Sequence, residues 1–194
     1  MHDIIHDGRW GNIITINGKT ETKLNAQSGE IIRLRLVNTA NARVFTPDFG
    51  DLSPIVIAVD GMLVKEPFTY KPMALSPGNR LDVIIDTSKT EQKTIQVTDT
   101  FARQTNELGS IVIEGESEAP KMVEFPQNVQ VPTWNTELAE VLPDYTYNLA
   151  LTRMGMMNAS WTINGKVFGK DQPVIFDKDK VTIVRFQNDS GNLH

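Results

Sequence analysis

The residues best suited to bind a metal or to move a proton near neutral pH are three histidines, His2, His6 and His194. His2 and His6 lie near one end of the chain, where a histidine pair is usually solvated. Met154, Met156 and Met157 cluster within Arg153-Met-Gly-Met-Met-Asn158. Thioethers are soft ligands suited to Cu(I), but they are also the usual fillers of irregular gaps, and packing is the simpler reading. The carboxylate pairs Asp48/Asp51 and Asp177/Asp179 sit in turn-like sequence and read as surface turn residues rather than acid–base partners. Histidines so placed cannot build a Ser-His-Asp triad. The sequence also lacks H-E-x-x-H, a Walker loop, G-x-G-x-x-G and G-x-S-x-G. Cysteine is absent, which removes disulfides, zinc knuckles, thiol catalysis and any thiolate-ligated copper or Fe–S site from this chain. No catalytic or cofactor-binding residue is assigned.

The elements that would have to position such residues are β-strands. Ile, Val and Thr supply 51 of 194 residues, the types that sit well on a pleated surface. Ile32/Leu34/Leu36 alternate with Arg33 and Arg35, Leu81/Val83/Ile85 with Asp82 and Ile84, and Ile95/Val97 with Gln96 and Thr98. Turn signals at Asn17-Gly18, Asp60-Gly61, Pro77-Gly78 and Asn164-Gly165 separate the runs. Strands are predicted over 12–17, 30–38, 43–49, 55–59, 62–65, 80–86, 93–99 and 109–114, and again over 145–151, 161–164 and 180–187. Many short strands with regular turns predict an all-β sandwich or Greek-key barrel, and the inward-facing alternation favours a Greek-key β-sandwich. Its expected core is Ile32, Leu34, Leu36, Ile57, Val59, Leu81, Val83, Ile85, Val97 and Ile111.

Charge and hydropathy narrow the partners. The 24 acidic and 19 basic residues give a net charge of −5, and no Lys/Arg cluster supplies a nucleic-acid face. Apolar runs such as 55–59 fall far short of the roughly 20 residues of a membrane span. Met1-His2-Asp3-Ile4 has neither the basic nor the apolar region of a signal peptide.

The chain repeats itself. Thr15-Ile16-Asn17-Gly18-Lys19 matches Thr162-Ile163-Asn164-Gly165-Lys166 residue for residue, and Arg35-Leu36-Val37-Asn38 parallels Arg185-Phe186-Gln187-Asn188. Two copies in the same order predict two homologous β domains in tandem. The expected organisation is a complete domain over 1–115, a Pro-rich linker over 116–144 with a short helix at 135–142, and a domain over 145–194 that looks cut. Half a sandwich exposes an apolar face and a strand edge, so the second segment is expected to dock on the first or to form a homodimer.

These motifs resemble a known family. Residues 13–19 followed by Ser28-Gly29-Glu30-Ile31-Ile32-Arg33-Leu34-Arg35-Leu36-Val37-Asn38 are similar to the opening of the middle cupredoxin domain of multicopper oxidases, the laccase and copper-resistance group. Ile57-Ala58-Val59-Asp60-Gly61 is similar to that domain's I-A-x-D-G turn. Leu75-Ser76-Pro77-Gly78-Asn79-Arg80-Leu81-Asp82-Val83 is similar to its L-x-P-G-E-R-x-D-V entry, with Asn79 where Glu is usual. Residues 161–166 and 181–188 resemble the start of the third domain. The resemblance implies a cupredoxin-like fold and copper in the full-length parent, with none expected in this fragment. It places His194 first in the third domain's H-P-x-H-x-H-G motif, as a type 1 copper ligand. It also implies that the parent oxidises a reducing substrate by one-electron steps and reduces dioxygen to water at a trinuclear cluster. The remaining cupredoxin domains would be partners of this scaffold, and the parent would be extracytoplasmic. Two other readings stay open. One is a fragment of a copper-free three-domain relative acting in periplasmic binding or cell division. The other is an unrelated β-sandwich binding module with a groove lined by Trp10, Trp134 or Trp161.

Overall fold

The computed structural model describes residues 8–117, 141–153, 159–167, 169 and 174–190. The chain divides into two units, Trp10–Pro132, and Thr133–His194 together with Met1–Arg9.

The first unit is a sandwich of two four-stranded sheets. Strands β2 (Ile31–Val37), β6 (Arg80–Asp86), β4 (Ile55–Val59) and β5 (Met62–Thr69) lie side by side in that order. The other sheet orders β1 (Lys23–Ser28), β8 (Asn106–Glu116), β7 (Thr94–Asp99) and β3 (Pro47–Asp48). Alternation decides which residues go inside. Ile32, Leu34 and Leu36 pair with Ile85, Val83 and Leu81, so both sets leave the same face. Leu24 and Ala26 pair with Ile111 and Ile113 in the facing sheet, and Ile95 pairs with Ile111. The two inner faces close on a core that contains Val56, Leu81, Val83, Ile85, Ile95, Ile111 and Ile113, with Phe49 and Tyr70 edge-on at 5.5 Å. Each fully buried apolar side chain there stabilises the fold by about 1.5–3 kcal/mol. On the outer face Arg33 and Arg35 both reach the Asp82 carboxylate, an exposed arrangement that contributes little.

The expected core holds with one correction. Leu81, Val83, Ile85 and Ile111 are buried, and Ile32, Leu34, Leu36, Val59 and Val97 pack against the cluster half-buried. Ile57 is buried but is not part of that cluster; Val56 takes its place. A β-bulge between Val56 and Ala58 shifts the parity, so that Val56 opposite Val83 and Val59 opposite Leu81 both point inward.

Several strand boundaries also differ. No strand forms over 12–17; only the Ile16–Lys19 bridge does. The run 43–49 contracts to Pro47–Asp48. Strand β5 continues to Thr69 past Pro67, which an edge strand tolerates because one side of its backbone is unpaired. The strand Lys23–Ser28 gives little sequence signal, with apolar residues only at Leu24 and Ala26. It is extended because it pairs in parallel with β8. Close approach of the preceding chain requires Gly109, where an added Cβ would lie 2.6 Å from the Thr22 carbonyl oxygen.

In the second unit, β9 (Tyr145–Arg153) lies between β10 (Ala159–Ile163), antiparallel to it, and β11 (Val184–Asn188), parallel to it. The strand expected over 180–187 therefore starts only at Val184. Tyr145, Tyr147, Leu149 and Leu151 share one face with Trp161, Ile163, Val184 and Phe186. Phe186 stacks on Tyr147 with ring centroids 5.4 Å apart, yet 80% of it is exposed. Asp144 ties the start of β9 to the chain before β11: its backbone N–H donates to the Ile183 carbonyl and its carboxylate accepts the Ile183 N–H at 3.0 Å. That contact, more than the Lys180 ammonium at 3.6 Å, holds the Asp144 carboxyl below its ordinary range. Most of the expected helix at 135–142 and of the expected linker falls outside the described residues; Val141 and Leu142, which are described, are not helical.

Candidate functional site

Three of the segments that carry the family resemblance, those holding Asn38, Asp60–Gly61 and Leu75–Arg80, are joined by hydrogen bonds. Asp60, with φ of 49°, and Gly61 make the turn between β4 and β5. The Asp60 carboxylate accepts the Arg80 backbone N–H at 2.8 Å, and the Arg80 guanidinium donates to the Asp60 carbonyl at 2.7 Å. The same guanidinium lies within 3.5 Å of the place a Cβ on Gly61 would occupy. Asn79 closes its own turn, its Oδ1 accepting the Ser76 N–H at 2.9 Å, while its Nδ2 donates to the Asp60 carboxylate at 3.3 Å. A glutamate in that position would have no N–H to offer Asp60, so the departure from the usual Glu fits its surroundings.

Asn38 joins a third loop to these two. It is 3% exposed, and its Nδ2 donates to the carbonyls of Arg43 and Leu75, both at 2.8 Å. Its Oδ1 accepts the Ala40 N–H, and its backbone carbonyl accepts the Gly78 N–H. Asn38, Asp60, Asn79 and Arg80 thus spend their polar groups on one another and on loop backbone. Such an arrangement fixes loops; it presents no nucleophile and no proton-transfer pair.

Other polar groups behave the same way. Asp48 accepts the Gly50 N–H, Asp51 accepts from Gln92, and Asp177 accepts the Asp179 N–H, so the carboxylate pairs are turn residues. Composition gave no sign of two further buried groups. Asp99, 1% exposed, accepts the N–H groups of Thr46 and Phe101. Tyr70, 6% exposed, donates its hydroxyl to the Pro47 carbonyl at 2.7 Å, and burial pushes the phenol above its ordinary value. Trp10 lies under the Arg43 guanidinium at 5.1 Å and beside Phe101 at 6.1 Å, a packing role rather than a groove wall. Trp161 belongs to β10, and Trp134 falls outside the described residues.

His194, His2, His6 and the Met154–Met156–Met157 group all lie outside the described residues. Among the described residues no three His, Cys, Asp or Glu side chains come close enough to share a metal ion. A type 1 copper requires imidazoles and a thiolate, and the whole chain has no cysteine. The described residues do not fit a type 1 copper site.

Comparison with known proteins decides what the interlocked loops belong to. The profile of the multicopper oxidase family matches residues 7–116, more than half of the chain. The chain belongs to the multicopper oxidase family. It is 33% identical over 87 residues to multicopper oxidase LPR1 of Arabidopsis thaliana, a match covering 44% of this chain and 15% of that protein. It is 36% identical over 90 residues to the cell division protein FtsP of Proteus mirabilis, covering 46% of this chain and 19% of that one. In fold it is similar to the crystal structure of the McoA multicopper oxidase of Aquifex aeolicus. That match has a TM-score of 0.71 at 20% identity and covers 98% of this chain and 44% of that one. The multicopper oxidase region thus coincides with the sandwich, and the chain spans less than half the length of each of these proteins. No helix among the described residues is long and apolar enough to cross a membrane.

Proposed function

We propose that the sandwich is a scaffold domain of a larger multicopper oxidase, the middle of three cupredoxin domains, and that residues 145–194 open the third. The observation that carries this reading is the use of the family motifs. Asn38 holds loops together through the Arg43 and Leu75 carbonyls, and Asp60, Asn79 and Arg80 do so through one another. In this reading the full-length protein takes single electrons from a reducing substrate outside the cytoplasm and reduces dioxygen to water. His194 would be a copper ligand there, with the remaining ligands supplied by other parts of the protein.

The test compares the chain with its full-length parent. The 194-residue chain takes up no stoichiometric copper and shows no blue absorption, because that charge-transfer band requires a thiolate. The full-length protein binds copper and consumes dioxygen with a phenolic or metal-ion reductant, and His194→Ala abolishes the blue band while leaving the fold intact. One-to-one copper with oxidase turnover in the short chain would overturn the scaffold reading. The FtsP likeness favours a second reading, a relative acting in cell division. A full-length protein free of copper and inert toward dioxygen would select it.

A further inference from the structure

We infer that Asn17 is a site of spontaneous deamidation and isoaspartate formation, and that its twin Asn164 is shielded from the same reaction. The chain contains two Asn-Gly pairs, both inside the pentapeptide Thr-Ile-Asn-Gly-Lys. Their backbones coincide, with φ of 52° and 77° at Asn17 and Gly18 and 51° and 77° at Asn164 and Gly165. Each turn is closed by reciprocal Ile–Lys hydrogen bonds of 2.8–3.0 Å. Local sequence and turn geometry therefore cannot separate the two.

The side chains do. The Asn164 Oδ1 accepts the Asn148 N–H at 2.8 Å, its Nδ2 donates to the Thr146 carbonyl at 3.1 Å, and its backbone N–H donates to the Asn148 carbonyl at 2.9 Å. The amide is pinned at both ends onto β9. Asn17 is exposed, and its amide has no hydrogen-bond partner among the described residues.

In the reaction the Gly18 nitrogen loses its proton to water or hydroxide and attacks the Asn17 Cγ. The new N–Cγ bond closes a five-membered succinimide, the Cγ–Nδ2 bond breaks, and ammonia leaves carrying the proton. Water then opens the ring at either carbonyl, giving aspartate or isoaspartate. The sum is amide plus water to carboxylic acid plus ammonia, with no change of oxidation state. Glycine in the following position favours attack because no side chain shields its nitrogen. The Asn side chain must swing its Cγ toward that nitrogen, and at Asn17 no side-chain hydrogen bond among the described residues opposes the swing. Asn164 must first break both side-chain hydrogen bonds, so it should react about tenfold or more slowly. Conversion at Asn17 adds one negative charge, and the isoaspartate form adds a backbone methylene inside a two-residue turn.

The experiment ages the folded chain in mildly alkaline buffer and follows both pentapeptides by proteolysis and mass spectrometry, with isoaspartate scored by its chromatographic split. A parallel sample ages in guanidinium chloride. Deamidation at Asn17 at least about tenfold ahead of Asn164 in the folded chain, with the two rates converging in denaturant, is the expected result. Equal rates in the folded chain, or a faster Asn164, would overturn the inference. So would a difference that persists in denaturant, because flanking sequence rather than the clamp would then be its cause. Asn17→Gln should remove the folded-state signal, confirming the position.

Discussion

Leu34 and Leu36 in the first unit correspond to Val184 and Phe186 in the second, through the repeat that aligns Asn38 with Asn188. Both pairs lie on strands of similar sequence that end in a similar side-chain turn, Asn38 accepting the Ala40 N–H and Asn188 accepting the Ser190 N–H. The surroundings of the two pairs differ. Leu34 and Leu36 pack against a core walled by the facing sheet, whereas Phe186 is 80% exposed on a three-stranded sheet. Local sequence suffices to repeat a strand and its turn. Burial in the first unit comes from a facing sheet far away in sequence; the described residues of the second unit form one sheet, and Phe186 on it is exposed.

The sharpest way to break this comparison is to cut both sides of it. Ile85→Ala, at 1% exposure, should destabilise the sandwich by about 2–5 kcal/mol in denaturant titration, while Phe186→Ala should cost less than about 0.5 kcal/mol. An equal penalty at Phe186 would show that its face is covered in solution.

A smaller effect should distinguish the tyrosines. The buried Tyr70 phenol titrates above its ordinary value of 10.0, so the folded state favours the protonated form. Its contribution to stability is complete below that ordinary value and is lost as pH rises through the raised one. Tyr70→Phe should cost about 1 kcal/mol through the unpaired Pro47 carbonyl. It should also flatten the alkaline decline in melting temperature, and an unchanged alkaline limb would contradict the assignment to Tyr70.

The smallest effect belongs to Asp144. Its folded pKa is depressed chiefly by the Ile183 N–H, so its contribution is present above the ordinary 3.8 and disappears as pH falls through the lowered value. Asp144→Asn should flatten the acid limb of the second unit's unfolding, monitored by NMR of the β9–β11 amides, and leave the first unit unchanged. A shift in both units would dissolve the distinction between them.

Much of the fold was legible because alternation is a local signal. Leu81/Val83/Ile85 and Ile32/Leu34/Leu36 reveal their inward faces, and Asn-Gly and Asp-Gly mark the turns where φ is positive. The bulge at Ile57 was not legible, because a run of Ile, Val and Ala looks the same from either face. Nor was Lys23–Ser28, whose strand conformation depends on β8 rather than on its own residues. Asn38, Asp60, Asn79 and Arg80 were visible as motif letters. That they bind one another emerged only from the fold, since the contacts join loops distant in sequence. The polar role of Tyr70 left no trace, because a single tyrosine has no spacing to read.

The parallel seat of β1 beside β8 has a consequence for how the chain is made. Strands β2, β4, β5 and β6 all lie between Ile31 and Asp86, so that sheet can assemble while the remainder is still being synthesised. The opposite sheet cannot, because Lys23 must wait for Ser110 to emerge from the ribosome before the two strands can pair. Long-range pairing of this kind is slow, and an unpaired edge left open meanwhile invites association with other chains. The exposed species during synthesis is therefore a nascent chain with one finished sheet, its apolar face uncovered, and its first strand still without a neighbour.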